Sequence, residues 1–213
     1  MNHLHGKVSV VGGKSHRQDM AIAFSCQLAA HGWLSLLKWA RVNGCPWNKW
    51  TWKGFTCAFA AKNGHKVLEW AHANGCPWSA HTCSQAADNG HNELLKWARA
   101  NGCPWDAGTC AFAAKNGDLE LLKWARANGC QWDDKTCAYA AENGHKEVLE
   151  WARANGCQWG TLTCAYAAKN GHKELLEWAR ANDGPWDKWT CSFEWPSRGT
   201  EVGAREWMSL GRS

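Results

Sequence analysis

Apolar residues recur along this chain in a helical pattern that starts again about every 27 residues. In the segment from Asp133 to Trp159, Cys137, Ala140 and Ala141 are spaced i, i+3 and i+4, as on the buried face of a short helix. Asp133 precedes this face, and its short side chain can accept hydrogen bonds from the free amides of a helix start. The pattern and the cap together predict a first helix in each repeat.

A second apolar face follows after only a few residues. Its members are Val148, Leu149, Trp151 and Ala152. They predict a second helix from Lys146 to Asn155, and an Asn-Gly pair ends both helices, because glycine adopts the left-handed C′ conformation without steric cost. We expect the tryptophan of this face to lie in the core. On the opposite face, Glu150 and Arg153 should form a solvated i, i+3 ion pair.

This two-helix segment is repeated along most of the chain. The repeats begin near Ser25, Thr56, Thr82, Thr109, Thr136 and Thr163. A fixed period of this length is typical of proteins in which each repeat buries its apolar face only against its neighbours. The sequence therefore predicts an all-α fold, an α-solenoid of stacked helical hairpins over residues 25–189. An irregular basic tail (1–24) should precede it, and a partial repeat with a C-terminal tail (190–213) should follow it.

The second half of each repeat resembles the second helix of an ankyrin repeat. The run GHKEVLEWARANGC, residues 144–157, has the glycine spacing of the family motif G-H-x-x-V-V-x-L-L-L-x-x-G-A. TCAYAA stands where ankyrin repeats carry T-P-L-H-x-A-A, one residue shorter and without the Pro-Leu-His core. The linker is shorter too. The resemblance thus implies divergent, Trp- and Cys-rich repeats that lack most of the family's β-hairpin finger, and it implies a binding scaffold.

The charge distribution bears on the choice of partner. Residues 1–81 carry nine Lys or Arg against two Asp or Glu, whereas residues 82–189 carry twelve against fourteen. The regular repeats therefore lack the uniformly basic groove expected of a nucleic-acid-binding domain. The long uncharged stretch from Met20 to Leu37 lies in repeat register and contains polar residues, so it does not predict a membrane span. With no secretory signal, we expect an intracellular monomer, cytoplasmic or nuclear, with protein partners rather than nucleic acid or membrane.

Twelve cysteines raise the question of disulfides or zinc. They recur twice per repeat, as Cys130 and Cys137 do, at positions that require a small apolar side chain, which free cysteine can provide. No C-x-x-C pair occurs, and zinc needs four converging ligands. The ankyrin resemblance makes the histidines after the turn glycine structural: His65, His91, His145 and His172. We expect buried, reduced thiols, and neither a metal nor a cofactor.

The residue pattern gives no support for an enzyme. An active site needs unlike residues that converge once, whereas each candidate His, Cys or Glu recurs at equivalent positions. The leading hypothesis is a non-catalytic protein–protein interaction scaffold of ankyrin-like repeats. One alternative is a helical repeat protein that binds single-stranded nucleic acid, with tryptophans stacked on bases. The other is a repeat relic without a specific partner.

The positions that vary between repeats are the candidates for partner contact. They are the first two helical positions and the position before the first Asn-Gly stop, whereas cap, core and turn residues hardly change. Either they drift as solvent-exposed residues, or they form the extended face that repeat arrays use for binding. The candidates are His81, Asp88, Lys115, Asp134, Lys135, Glu142, Thr161, Leu162 and Lys169.

An insertion of five residues between Trp47 and Thr56 adds a further candidate. One interpretation is a tolerated loop, since surface loops accept insertions at small entropic cost. The other is an aromatic, basic contact bulge that contains Trp50, Trp52 and Lys53.

Overall fold

A computed structural model describes residues 24–45, 47 and 55–185 of the chain, and these residues form helices and short connections without strands. The chain divides into two compact units, Met1–Thr82 and Cys83–Ser213, which we call the N-terminal and C-terminal units. Residues 1–23, 48–54 and 186–213 lie outside the described residues, and they include most of the predicted tails and of the insertion. None of the described helices is both long and apolar enough to cross a bilayer.

The N-terminal unit contains four helices within its described part. They are α1 (residues 24–30), α2 (Leu34–Val42), α3 (Phe55–Asn63) and α4 (His65–Ala73). The fully buried side chains of Leu28, Leu37 and Leu68 form its core. At the end of α3, the Asn63 side-chain amide donates to the carbonyls of Ala29 and Ala30, which ties α3 to the end of α1. The next helix, α5 (Ala80–Asp88), spans the division between the units.

The C-terminal unit contains seven further helices of nine residues each. They are α6 (Asn92–Ala100), α7 (Ala107–Lys115), α8 (Leu119–Ala127), α9 (Asp134–Glu142), α10 (Lys146–Ala154), α11 (Thr161–Lys169) and α12 (Lys173–Ala181). The first helices of successive repeats, α7, α9 and α11, pack side by side. The second helices α8, α10 and α12 pack on the first helices of their own repeats. The predicted array of helical hairpins is confirmed.

Local sequence sets these helix ends as predicted. The Asp133 carboxylate accepts a hydrogen bond from Lys135 N at 3.1 Å, and the same cap recurs at Asp106. At the other end of α9, Gly144 has φ +73° and His145 N donates to Ala140 O at 2.9 Å. This left-handed glycine with its 6→1 hydrogen bond satisfies carbonyls that the helix leaves free. Residues close in sequence therefore set where these helices begin and end, and packing between helices is not needed for this.

The core of each repeat is built from small residues and leucine. In the repeat that begins near Thr136, Thr136, Cys137, Ala140 and Ala141 of α9 have no exposed surface, and neither does Leu149 of α10. Alanine and cysteine leave room for neighbouring helices to approach closely, and each leucine fills the space that remains. This part of the predicted core is confirmed.

The prediction that tryptophans of the second helices lie in the core is wrong. The side chains of Trp97, Trp124, Trp151 and Trp178 are all partly exposed. The physical reason is volume, because a layer closed by alanine, cysteine and leucine has no space for an indole. The rings of Trp124, Trp151 and Trp178 instead lie at the rim of the repeat, where each meets another tryptophan.

The predicted Glu150–Arg153 ion pair does not form. Glu150 pairs with Lys146, at 3.7 Å between Oε1 and Nζ. Arg153 Nη1 donates to the carbonyl of Cys157 at 3.0 Å, and its guanidinium lies over the ring of Trp159. The arginine is better satisfied by the helix end and an aromatic face than by an exposed carboxylate.

The histidines after the turn glycine connect successive repeats. The Nε2 atom of His145 lies 3.0 Å from the carbonyl of Lys115, and that of His172 lies 3.0 Å from the carbonyl of Glu142. Each imidazole thus reaches the end of the preceding first helix, whose last carbonyls lack partners within the helix. The structural role implied for these two histidines is confirmed.

Candidate binding surfaces

Five of the predicted contact residues are exposed on α9 and α11 of the C-terminal unit. Four of them lie at the starts of these two helices and one lies at the end of α11, and the helix residues that follow the starts are fully buried. We call this set the first-helix surface: Asp134, Lys135, Thr161, Leu162 and Lys169. Asp134 lies beside Gly160, the cap of the next first helix, so the side chains of neighbouring repeats come close together. Leu162, an apolar side chain, is 49% exposed.

Two other candidate contact residues, Asp88 and Lys115, form a salt bridge with each other. Lys115 Nζ lies 2.7 Å from Asp88 Oδ1, a salt bridge between the ends of successive first helices. The same lysine lies 5.5 Å from the centre of the Phe112 ring. The pair leaves little net charge at this part of the surface.

The remaining candidates are placed differently. Glu142 is partly buried, and its backbone carbonyl accepts from both Asn170 and His172. His81 is exposed in the N-terminal unit. Trp50, Trp52 and Lys53 lie outside the described residues, so the proposed contact bulge stays a prediction.

A second surface, which the sequence reasoning missed, combines the arginine of one repeat with tryptophans of two. Arg126 lies 4.1 Å from the centre of the Trp132 ring, and Trp132 packs edge-on against Trp151 at 5.8 Å. The same three-residue arrangement recurs at Arg99–Trp105–Trp124 and at Arg153–Trp159–Trp178. We call these residues of the C-terminal unit the tryptophan–arginine row.

Each arginine of the row is fixed at a second point. Its Nη1 donates to the carbonyl of the cysteine four residues later, as Arg99 does to Cys103 at 2.8 Å. This carbonyl belongs to the connection after the helix, so the guanidinium closes the helix end while its flat face covers the indole. Such a stack is worth about 0.5–1 kcal/mol at an exposed site.

The N-terminal unit contains an equivalent arrangement of its own. Arg41 lies 4.6 Å from the centre of the Trp47 ring, which meets Trp70 edge-on at 5.9 Å. The Trp47 indole N–H donates to the carbonyl of Asn74 at 2.7 Å, and Lys38 approaches the Trp70 ring to 5.9 Å. The motif therefore occurs in both units.

The signal for this row is present in the sequence W-A-R-A-N-G-C-x-W. The arginine precedes the linker tryptophan by six residues, and this spacing recurs in successive repeats. The pair spans a helix end, so it does not belong to the apolar face of a single helix. Read as a local motif, it predicts a guanidinium over an indole.

A cavity of about 290 Å³ opens on the row between α8 and α10. Its walls are Lys123, Arg126, Ala127, Trp132, Trp151 and Asn155. We call it the α8–α10 cleft. Two cationic side chains and two indoles thus line one concave site, a combination that suits an anionic group attached to an apolar one.

The cysteines form buried thiol pairs within repeats. A hydrogen bond to Cys130, followed by burial, raises the pKa of Cys110, whereas the hydrogen bond from Cys110 lowers the pKa of Cys130. Cys130 in turn donates to the carbonyl of the capping residue Asp106 at 3.3 Å. Cys137 and Cys157 repeat this arrangement, with the pKa of Cys137 raised and that of Cys157 lowered. The thiols thus connect the start of a first helix with the end of its second helix.

Among the described residues, no group of three or more His, Cys, Asp or Glu side chains is placed to hold a metal ion. The described cysteines are free thiols, and most of them are buried.

Two-helix hairpins with nine-residue helices, left-handed glycine stops and a side-by-side layer of first helices define a helical repeat protein. No protein-family model and no curated protein matches the chain. Among solved structures, the crystal structure of the human ASB11 ankyrin repeat domain is similar, with a TM-score of 0.58 and 15% sequence identity. The match covers 87% of this chain and 96% of that one. The fold is therefore that of an ankyrin repeat solenoid, and the resemblance seen in the second-helix motif is confirmed at the level of the fold.

Proposed function

We propose that this protein is a non-catalytic protein–protein interaction scaffold and that its partner contacts the first-helix surface. The observation that carries the proposal is a contrast within the first helices: the buried residues stay the same from repeat to repeat, whereas the exposed residues change. In α9 and α11, Thr136 and Thr163 are fully buried at the same position of the repeat. At the two positions before them, exposed Asp134 and Lys135 give way to exposed Thr161 and Leu162. A binding array requires this arrangement, in which constant buried residues hold different exposed side chains.

The composition of this surface favours a protein partner. Leu162 supplies an exposed apolar contact, and exposed Asp134, Lys135 and Lys169 on the same two helices add charges of both signs. Protein interfaces have this mixture of apolar centre and polar rim. A strand of phosphates would require a more uniformly basic surface. Such a scaffold would work as a monomer in the cytoplasm or nucleus, where its many thiols stay reduced; the insertion with Trp50, Trp52 and Lys53 would extend the contact.

Site-specific photo-crosslinking in the native cell tests this proposal. A benzophenone amino acid replaces Lys135 or Leu162 in turn, and exposed Glu147 of α10 in the matched control. We expect both first-helix positions to crosslink the same protein, and the Leu162→Asp change to remove the adduct formed from position 135. Equal adducts from all three positions, or adducts that nuclease removes, would contradict the proposal.

A further inference from the structure

We propose that the α8–α10 cleft is a second binding site, separate from the first-helix surface, and that it takes an acidic side chain next to an apolar one in an extended peptide of a protein partner. The proposal goes beyond the scaffold function because it assigns a different surface and a specific chemistry. It rests on the geometry of Arg126, on the walls of the cleft and on the change of charge between successive clefts.

The Arg126 guanidinium is fixed in place yet incompletely used. Nη1 donates to Cys130 O, and the planar face lies on Trp132, 4.1 Å from the ring centre. A guanidinium has five N–H donors, so the remaining edge can still hold a carboxylate by two parallel hydrogen bonds. Because both attachments hold the group before any ligand arrives, little side-chain entropy is lost on binding.

The other walls of the cleft complement such a ligand. Lys123 Nζ lies 2.8 Å from Glu120 Oε1, but exposed pairs of this kind are weak and can exchange partners. The Asn155 amide donates to the carbonyl of Trp151 at 2.8 Å, which leaves its own oxygen for a peptide N–H. The half-exposed indoles of Trp132 and Trp151 meet edge-on and offer an apolar wall beside the cations.

The charge sequence along the row favours a peptide over a nucleic acid. The position before the second-helix tryptophan is Lys96, Lys123, Glu150 and Glu177 in successive repeats. A chain of phosphates following the row would meet Glu150 immediately after the α8–α10 cleft, and like charges at that place oppose binding. A peptide can change the sign of its side chains from one cleft to the next.

The neighbouring cleft provides an internal control. Arg153, Trp159 and Trp178 repeat the geometry of Arg126, Trp132 and Trp151, with ring distances of 4.4 and 5.5 Å. The main difference at the lysine position is Glu150 in place of Lys123. We therefore expect the α8–α10 cleft to prefer acidic peptides and the α10–α12 position to reject them.

Indole N–H resonances of ¹⁵N-labelled protein report binding at each cleft. The probes are the acetylated and amidated pentapeptides GEFEG and GKFKG and a single-stranded oligothymidine. We expect GEFEG to shift the Trp132 and Trp151 signals in a saturable way, with GKFKG much weaker. Lys123→Glu should weaken GEFEG binding about tenfold, the loss of one charge-assisted contact. Glu150→Lys should leave these shifts intact and add shifts at Trp159 and Trp178.

Both variants change exposed or half-exposed side chains, and thermal melting checks that each retains its fold. Equal shifts from the two peptides, or unchanged binding in Lys123→Glu, would overturn the proposal. Stronger saturable shifts with oligothymidine than with GEFEG would also overturn it and favour a nucleic-acid ligand. The crosslinking experiment at positions 135 and 162 does not depend on this cleft, so either proposal can fail while the other stands.

Discussion

The buried core and the tryptophan–arginine row of the C-terminal unit are built on the same nine-residue helices, but their apolar side chains differ in how far they are buried. On α8, Leu122 has no exposed surface, whereas Trp124, two residues later, is partly exposed and meets Trp105 edge-on at 5.6 Å. The smaller side chain closes the core, and the larger one is left at its rim. In a closely packed array, size as well as hydrophobicity decides which apolar residues become available for binding.

The largest expected effect is in the core. Leu122→Ala should lower the free energy of unfolding by about 2–5 kcal/mol, because it leaves a cavity that the surrounding helices cannot fill. Urea denaturation with an unchanged slope would report this loss as a lower midpoint. A loss below about 1 kcal/mol would mean that the core relaxes around the cavity, which would contradict close packing of these helices.

Trp124→Ala sharpens the comparison on the same helix. The sequence alone assigns this tryptophan to the core and predicts a loss of several kcal/mol. Its partial exposure reduces the expected loss to about 2 kcal/mol, roughly half the value for a buried aromatic residue. The same urea titration, run beside Leu122→Ala, checks the order of the two variants. A larger loss for Trp124→Ala would restore the tryptophan to the core.

Arg126→Gln should lower the free energy of unfolding by about 1 kcal/mol, through loss of the stack on Trp132 and of the hydrogen bond to Cys130 O. The Trp132 fluorescence should also change, since the cation no longer covers the ring. Lys135→Gln, an exposed change on α9, is the matched control and should stay within about 0.5 kcal/mol of the parent. Equal effects of the two substitutions would show that the stack contributes nothing to stability.

Thr136→Val should have the smallest effect, with the opposite sign. Thr136 has no exposed surface, and its hydroxyl has no hydrogen-bond partner. Because an unpaired buried hydroxyl costs free energy, a methyl group in its place should stabilise the protein by up to about 1 kcal/mol. Thr82→Val is the control: that hydroxyl accepts from Ser79 N at 3.4 Å, so its removal should destabilise. A clear loss for Thr136→Val would reveal a partner for the hydroxyl, and thermal melting separates the two results.

Much of the fold could be predicted because its causes are local. Asp133 caps α9, Gly144 ends it, and Cys137, Ala140 and Ala141 face the core, all as the spacing indicates. Each of these features depends on residues within one or two helical turns. Repetition then shows that the same local choices recur along the array.

The candidate binding surfaces were harder to predict from the sequence. Whether Trp124 is buried depends on the distance between packed helices, which a helical face does not specify. The Lys115–Asp88 bridge joins residues 27 positions apart and depends on how successive repeats are rotated. Exposure of Asp134 and Leu162 agrees with the solvent face that their variation indicated, but variation alone cannot separate drift from recognition.

The contact between turn glycine and histidine also restricts how such an array can grow by gene duplication. A Cβ at Gly117 would lie 2.6 Å from Nδ1 of His145 in the following repeat, and one at Gly144 would lie 2.7 Å from the ring of His172. At Gly90 the space is open, and the following repeat carries Asp118 in place of histidine. A copy inserted before such a histidine must therefore keep its own turn glycine, because a Cβ there would clash with the imidazole of the next repeat.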